Sequence, residues 1–128
     1  MLEIGGLDVA YGESQVLWDV SLHVPAGGVM CLMGRNGVGK TILLKSIMGL
    51  LPARSGRIVF DGTDLARLRP EERAACGIGY VPQGREIFPN LTVRENLELA
   101  LARSSKGVLP TLRARLDGAQ RDRIDATL

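Results

Sequence analysis

Eight consecutive residues, Gly34-Arg35-Asn36-Gly37-Val38-Gly39-Lys40-Thr41, set three glycines ahead of a lysine and a hydroxyl. That order suits one chemistry, the gripping of a polyphosphate. Glycines let the backbone turn so tightly that successive N–H groups face inward at phosphate oxygens. Lys40 then supplies a point charge for the outer phosphates, and Thr41 a hydroxyl for a Mg²⁺ ion. A glycine-rich turn without a ligand is the plain alternative, and the flanks argue against it. Val29-Met30-Cys31-Leu32-Met33 reads as a strand buried on both faces. Ile42-Leu43-Leu44-Lys45-Ser46-Ile47-Met48 reads as a helix whose positive end, beginning near Lys40, is aimed at the loop. The stretch is a nucleotide phosphate site by sequence.

Such a loop needs elements to hold it. Residues 2–9 and 16–24 alternate as strands do, joined by Tyr11-Gly12-Glu13-Ser14-Gln15. Val20, Leu22 and Val24 would share one face, leaving Ser21 and His23 on the other. His23, the only histidine, reads as an exposed strand residue rather than a base. Pro25-Ala26-Gly27-Gly28 turns the chain towards the loop. The helix behind the loop should stop at Gly49, with Pro52 just beyond. Arg57-Ile58-Val59-Phe60 is a short strand and Asp61-Gly62 a hairpin signal. Pro70-Glu71-Glu72-Arg73 opens a small helix that Gly77 closes, and Ile78-Gly79-Tyr80-Val81 reads as a second apolar strand ended by Pro82. Thr92-Val93-Arg94-Glu95 is a capping box, which predicts a helix from Val93 to about Ala102. Ser104-Ser105-Lys106-Gly107 breaks it, leaving a weakly amphipathic tail from Val108 to Leu128.

A length of 128 residues suits one ordinary domain or a piece of a larger one, and 45% hydrophobic content argues against bulk disorder. The net charge of +2 comes without a basic run interleaved with aromatics, so no nucleic-acid partner is expected. Cys31 and Cys76 lack metal-ligand spacing and read as small buried hydrophobes rather than a redox pair. Neither a secretory leader nor an apolar stretch of membrane-spanning length is visible. The expectation is a cytosolic protein, or one held at a membrane by partners.

The loop's place in the chain narrows its class. Small GTPases and nucleotide kinases usually carry it on the first strand, whereas two strands precede it here, and no Asn-Lys-x-Asp guanine-reading motif occurs. Tyr11, ending the first strand, offers a ring on which a purine could stack while the loop holds the phosphates. Tyr11-Gly12, Leu32 to Thr41, Ser55-Gly56-Arg57-Ile58-Val59-Phe60-Asp61-Gly62 and Tyr80-Val81-Pro82-Gln83 together resemble the ATP-binding subunits of ABC transporters. The resemblance covers residues 1–103. It implies an α/β fold of the P-loop NTPase kind: an antiparallel β subdomain, an incomplete RecA-like parallel sheet and the start of a helical subdomain. A helical or irregular tail would occupy 104–128. It also implies that Tyr11 stacks on adenine and that Gly34, Arg35, Asn36, Gly37, Val38, Gly39, Lys40, Thr41 and Ile42 hold ATP. Gln83 would join Thr41 as a Mg²⁺ ligand, sense the γ-phosphate and meet a membrane subunit. From Val81 to Leu97 the sequence is similar to the branched-chain amino acid uptake type, and within it to the urea-transport kind. The implied partners are membrane permease subunits and a second ATP-binding subunit, with the protein peripheral on the cytoplasmic face of the membrane.

Hydrolysis needs more than a cradle. A further acidic residue must complete the Mg²⁺ shell, and a carboxylate must orient the attacking water. In the family these end an apolar strand as Asp-Glu, downstream of a Leu-Ser-Gly-Gly-Gln signature, with a later histidine on the γ-phosphate. These 128 residues contain no such strand. Ile58-Val59-Phe60-Asp61 imitates one, but Gly62 follows, and its family match is a hairpin. Leu116-Asp117-Gly118-Ala119-Gln120 partly matches the signature, yet a carboxylate at Asp117 would repel the phosphate, so it reads as coincidence or a decayed remnant. In the family the Asp-Glu strand lies between the strands matching Val29–Met33 and Ile78–Val81. A gap or improvised pairing is therefore expected there, with lower stability than a full subunit. The chain thus reads as a truncated ATP-binding subunit that binds ATP without competent hydrolysis. The rival is a non-enzymatic permease-docking or inhibitory protein using residues 83–103. A small P-loop kinase would need arginines such as Arg113, Arg115, Arg121 and Arg123, which read as a solvated helix face.

Overall fold

The computed structural model describes residues 1–84, 87–102, 122 and 124–127. The chain divides into two compact units, Met1–Tyr80 and Val81–Leu128.

In the first unit, β1 (Leu2–Tyr11) and β2 (Ser14–Val24) form an antiparallel hairpin turning at Gly12 and Glu13. β1 also pairs antiparallel with β3 (Ala53–Phe60), which turns into the short β4 (Thr63–Asp64), giving the order β2-β1-β3-β4. Asp61 and Gly62 both take positive φ, 45° and 79°, as the Asp-Gly hairpin signal requires. The register shift at Gly5-Gly6 breaks the alternation of β1, so Ile4 before it and Leu7 and Val9 after it all reach one apolar face, with Leu17 of β2 and Ile58 of β3. There they pack with Leu65 and with Leu43 and Ile47 of helix α1 (Lys40–Ile47). Burial of this shared apolar face is what holds the helix, and hence the loop before it, to the sheet.

α1 is tied down at its far end twice. Gly49, at φ 75°, donates its N–H to the Ser46 carbonyl at 3.0 Å, and Leu50 donates to Lys45 at 2.9 Å, a Schellman closure. Arg73, from helix α2 (Pro70–Ala75), adds a side-chain cap. Its Nη1 donates to the carbonyls of Ser46 at 2.8 Å and Ile47 at 2.9 Å, and its Nε to Leu68 at 2.9 Å. A buried cation thus meets the negative end of α1. Burial pushes the Arg73 pKa below its ordinary value, with Asp64 acting in the opposite sense.

The expected buried strand at Val29–Met33 is not formed. Val29 is 98% exposed and Met33 85%, and neither Val29–Met33 nor Ile78–Val81 pairs with a strand among the described residues. A parallel strand is stable only when neighbours satisfy its N–H and C=O groups on both edges and layers cover both faces. Among the described residues every strand that pairs belongs to the antiparallel sheet, so apolar composition alone does not create a ladder. Cys31 is exposed with its segment, contrary to expectation. Cys76 is exposed as well, because α2 is a short surface helix in which Arg73 is the buried residue. His23 is exposed on β2, as the alternation predicts.

In the second unit, helix α3 (Val93–Ala102) begins at the predicted capping box. Glu95 donates its N–H to Thr92 Oγ1 at 3.2 Å, and Thr92 donates its N–H to Glu95 Oε2 at 2.7 Å. The Thr92 N–H, and then the Thr92 hydroxyl, which also donates to Glu95 Oε2 at 2.7 Å, hold the Glu95 carboxyl below its usual range. Asn96 then organises the preceding loop. Its Oδ1 accepts the Phe88 N–H at 3.0 Å, while Nδ2 donates to the carbonyls of Phe88, Leu91 and Thr92 at 3.0–3.2 Å. Arg94 pairs with Asp125 at 2.7 Å. The expectations for Ser104–Gly107, for Leu116 to Gln120 and for Arg113, Arg115, Arg121 and Arg123 lie outside the described residues. No described helix is long and apolar enough to cross a membrane.

Candidate functional site

Gly39 is the N-cap of α1, at φ 97°, and no side chain caps the helix start. The first N–H groups of the helix are therefore left for an outside acceptor, in the region where the helix dipole favours an anion. Gly37, at φ 84°, is also left-handed. The two glycines are needed for different reasons. A Cβ at Gly37 would meet nothing within 4 Å, so only its backbone angle demands glycine. A Cβ at Gly39 would lie 2.6 Å from Leu17 Cδ2 and 3.1 Å from Val16 Cγ1. The loop is thus seated directly on β2.

Lys40 folds back across the loop. Its Nζ donates to the carbonyls of Gly34 and Arg35, both at 2.7 Å. An ammonium has three donors, so these bonds fix its position and leave one donor and the whole charge at the loop. Gly34, Arg35, Asn36, Gly37 and Val38 are exposed, which leaves the loop open to solvent. Thr41 exposes its hydroxyl on the first turn of α1, and Ile42 packs against the core. Ile42 therefore anchors the helix by its side chain; only its backbone is placed to face a ligand.

Tyr11 ends β1 opposite Ser14 and is 63% exposed. Three residues beyond Ser14, Leu17 carries the seat of Gly39. One end of one hairpin therefore displays the ring and supports the loop, about 10 Å apart along the strand. Gln83 is exposed and belongs to the second unit.

Sequence reasoning missed Asp8. Its Oδ1 accepts the Asp19 N–H at 2.8 Å and Gln15 Nε2 at 3.2 Å, and its Oδ2 accepts the Ser55 hydroxyl at 2.6 Å. The Ser55 bond, then that from Asp19, holds the Asp8 carboxyl below its usual range. The one available sign was Gly5-Gly6 inside a strand, which marks an irregular ladder. Gly6 is indeed at φ 59°, and its N–H donates to Ser21 Oγ at 2.9 Å.

Over residues 17–128 the sequence matches the ABC transporter family. It is 37% identical over all 128 residues to the probable branched-chain amino acid transport ATP-binding protein LivF of Archaeoglobus fulgidus, covering 50% of that protein. To the sulfate/thiosulfate import ATP-binding protein CysA of Salmonella typhi it is 39% identical over 113 residues, 88% of this chain and 30% of CysA. Among solved structures, the ATP-binding cassette MJ0796, dimeric and bound to ADP and Pi after hydrolysis, superposes with a TM-score of 0.77. The identity is 27%, over 98% of this chain and 55% of that one. The chain spans half or less of the length of these curated relatives.

Proposed function

The chain belongs to the ABC transporter family and has the fold of the N-terminal part of its ATPase domain, and we propose that it is the ATP-gripping portion of an importer subunit. The observation that carries this reading is Lys40, held by two loop carbonyls at 2.7 Å beside an uncapped helix start. Those groups suit the β- and γ-phosphates of ATP, with backbone N–H groups from Gly34 to Ile42 around them and Tyr11 against adenine. Mg²⁺, when bound, neutralises and orients the phosphates. The exposed Thr41 is a hard oxygen donor of the kind it takes, and we assign its hydroxyl to the ion.

The solute we assign is urea or a branched-chain amino acid. The likeness of Val81–Leu97 to that uptake type supports this, as does the similarity to LivF. Residues 1–103 are the ATP-binding part and 104–128 a divergent tail. In the assembled transporter, two ATP-binding subunits would sit against permease subunits on the cytoplasmic face of the membrane. Taken as an isolated polypeptide, these 128 residues offer no Asp-Glu pair to order an attacking water, and we propose that they bind ATP·Mg²⁺ with negligible turnover. Titration with a fluorescent ATP analogue and Mg²⁺ should saturate, and Lys40→Ala should abolish the signal. A folded sample without saturable binding would refute the reading, and Lys40-dependent phosphate release would refute its non-hydrolytic half.

A second reading is favoured by the loop before α3. Ile87 and Phe88 are 67% and 55% exposed, although Asn96 binds the Phe88 backbone on both its N–H and its carbonyl. A fixed, exposed apolar pair suits docking on a permease, and residues 83–103 would then act as a partial or inhibitory subunit. Pull-down on a permease independent of ATP would support that reading.

A further inference from the structure

Asp8 sits on β1 between the buried Leu7 and Val9, so its side chain emerges on the other face of the sheet. Through the three hydrogen bonds already described it is tied to both strands that flank β1. The two partners on β2, Gln15 and Asp19, bracket Val16 and Leu17, the side chains on which Gly39 is seated. Gln15 also donates to the Leu17 carbonyl at 3.3 Å. On its other side, Gln15 adjoins Ser14, the partner of Tyr11. A regular ladder would fix this segment by backbone bonds alone. Here the register shifts between Leu7 and Val9 and again between Val9 and Ala10, and Asp19 takes φ 46°. Side-chain ties from one carboxylate bridge the irregular stretch.

We infer that Asp8 is a positioning residue for the nucleotide site, holding the hairpin end that carries Tyr11 at a set distance from the phosphate loop on Leu17. The inference rests on the reading of Tyr11 and the loop proposed above. A purine nucleotide must reach both supports at once, at a separation its own length dictates. Inorganic tripolyphosphate needs the loop alone. Loosening the tie therefore weakens ligands that carry a base and spares the bare phosphate chain.

Calorimetric titration of the 128-residue chain with ATP and with tripolyphosphate, each with Mg²⁺, tests this. Asp8→Ala should weaken ATP about tenfold, the effect of losing one base-stacking contact, and tripolyphosphate less than about twofold. Asp8→Asn keeps an oxygen acceptor for Asp19 and Gln15 and offers an amide donor to the Ser55 oxygen, so it should restore ATP affinity. Equal loss of both ligands in Asp8→Ala, no loss of either, or no rescue by Asp8→Asn would overturn the inference. Should Asp8→Ala not fold, Ser55→Ala removes one of the ties, and an ATP-selective loss there supports the inference while an unselective one overturns it. Tyr11→Ala isolates the underlying reading. An unchanged ATP-to-tripolyphosphate ratio in that variant would remove the base platform and this inference with it, leaving the loop's phosphate binding intact. A wild-type chain that binds neither ligand would remove the nucleotide site altogether.

Discussion

Gly37 and Gly39 share a left-handed backbone but not a neighbourhood, and a side chain at each should therefore have a different cost. Asparagine tolerates this conformation better than other residues. Gly37→Asn, entering open space, is expected to cost about 1 kcal/mol and leave a measurable ATP affinity. Gly39→Asn must also displace Leu17, a core side chain, from 2.6 Å. It should cost about 3 kcal/mol and abolish binding, read by thermal melts and titration side by side. Asp8 makes a residue-scale claim about acid. Its native pKa is depressed, so the stability it contributes is present above the ordinary aspartate value of about 4 and is lost as pH falls through the lower native one. Glu72 and Glu95 are depressed too and act in the same direction. Urea melts taken from neutral pH downward should show stability falling below about pH 4, and Asp8→Asn should flatten part of that fall. An identical acid limb in the variant would show that Asp8 is not among the groups responsible. The loop was legible in sequence because its work is a main-chain turn, and residue types specify turns locally. Asp8 was not, because its partners lie 7, 11 and 47 residues away and nothing in their spacing announces them.

At the scale of elements, the helix that presents the loop is fixed as much at its far end as at its near one. Arg73→Ala would remove three hydrogen bonds and leave the carbonyls of Ile47 and Leu68 short of a donor, while Ser46 keeps only the Gly49 N–H. A loss of about 3 kcal/mol in global stability is expected. Arg73→Lys should recover only part of it, since one ammonium cannot reproduce the planar fork. Rescue to wild-type stability by lysine would show that charge alone matters there. In the second unit, Thr92→Ala should cost about 1 kcal/mol, visible as faster amide exchange at the first turn of α3. Caps and turns made α2, α3 and the Asp61-Gly62 hairpin readable, because each is settled within four or five residues. Arg73 escaped notice since its carbonyl partners on α1 lie 26 and 27 residues away. Val29–Met33 misled for the complementary reason: an apolar run states what a segment can bury, while a strand exists only where another strand accepts its bonds.

At the scale of the whole molecule, that unpaired run dominates the expected solution behaviour. Val29, Met30, Leu32 and Met33 are all exposed, the first at 98%, and they form one uncharged stretch without proline. Backbone groups with no ladder and side chains with no cover are the two ingredients of edge-to-edge association. The antiparallel sheet does not share the defect, since its core of Leu7, Val9, Leu17 and Ile58 is closed by α1. Association should therefore be separable from folding. The wild-type chain is expected to bind a hydrophobic dye and to show concentration-dependent growth in light scattering. Met33→Lys, with a charge added to an exposed position, should suppress both while leaving the far-ultraviolet circular dichroism and the cooperative melt unchanged. Growth that persists in Met33→Lys would move the sticky surface elsewhere, to Ile87 and Phe88 in the second unit, where Phe88→Lys would test it next. A monomer at every concentration would mean that Val29–Met33 finds a partner in solution that the antiparallel sheet does not provide.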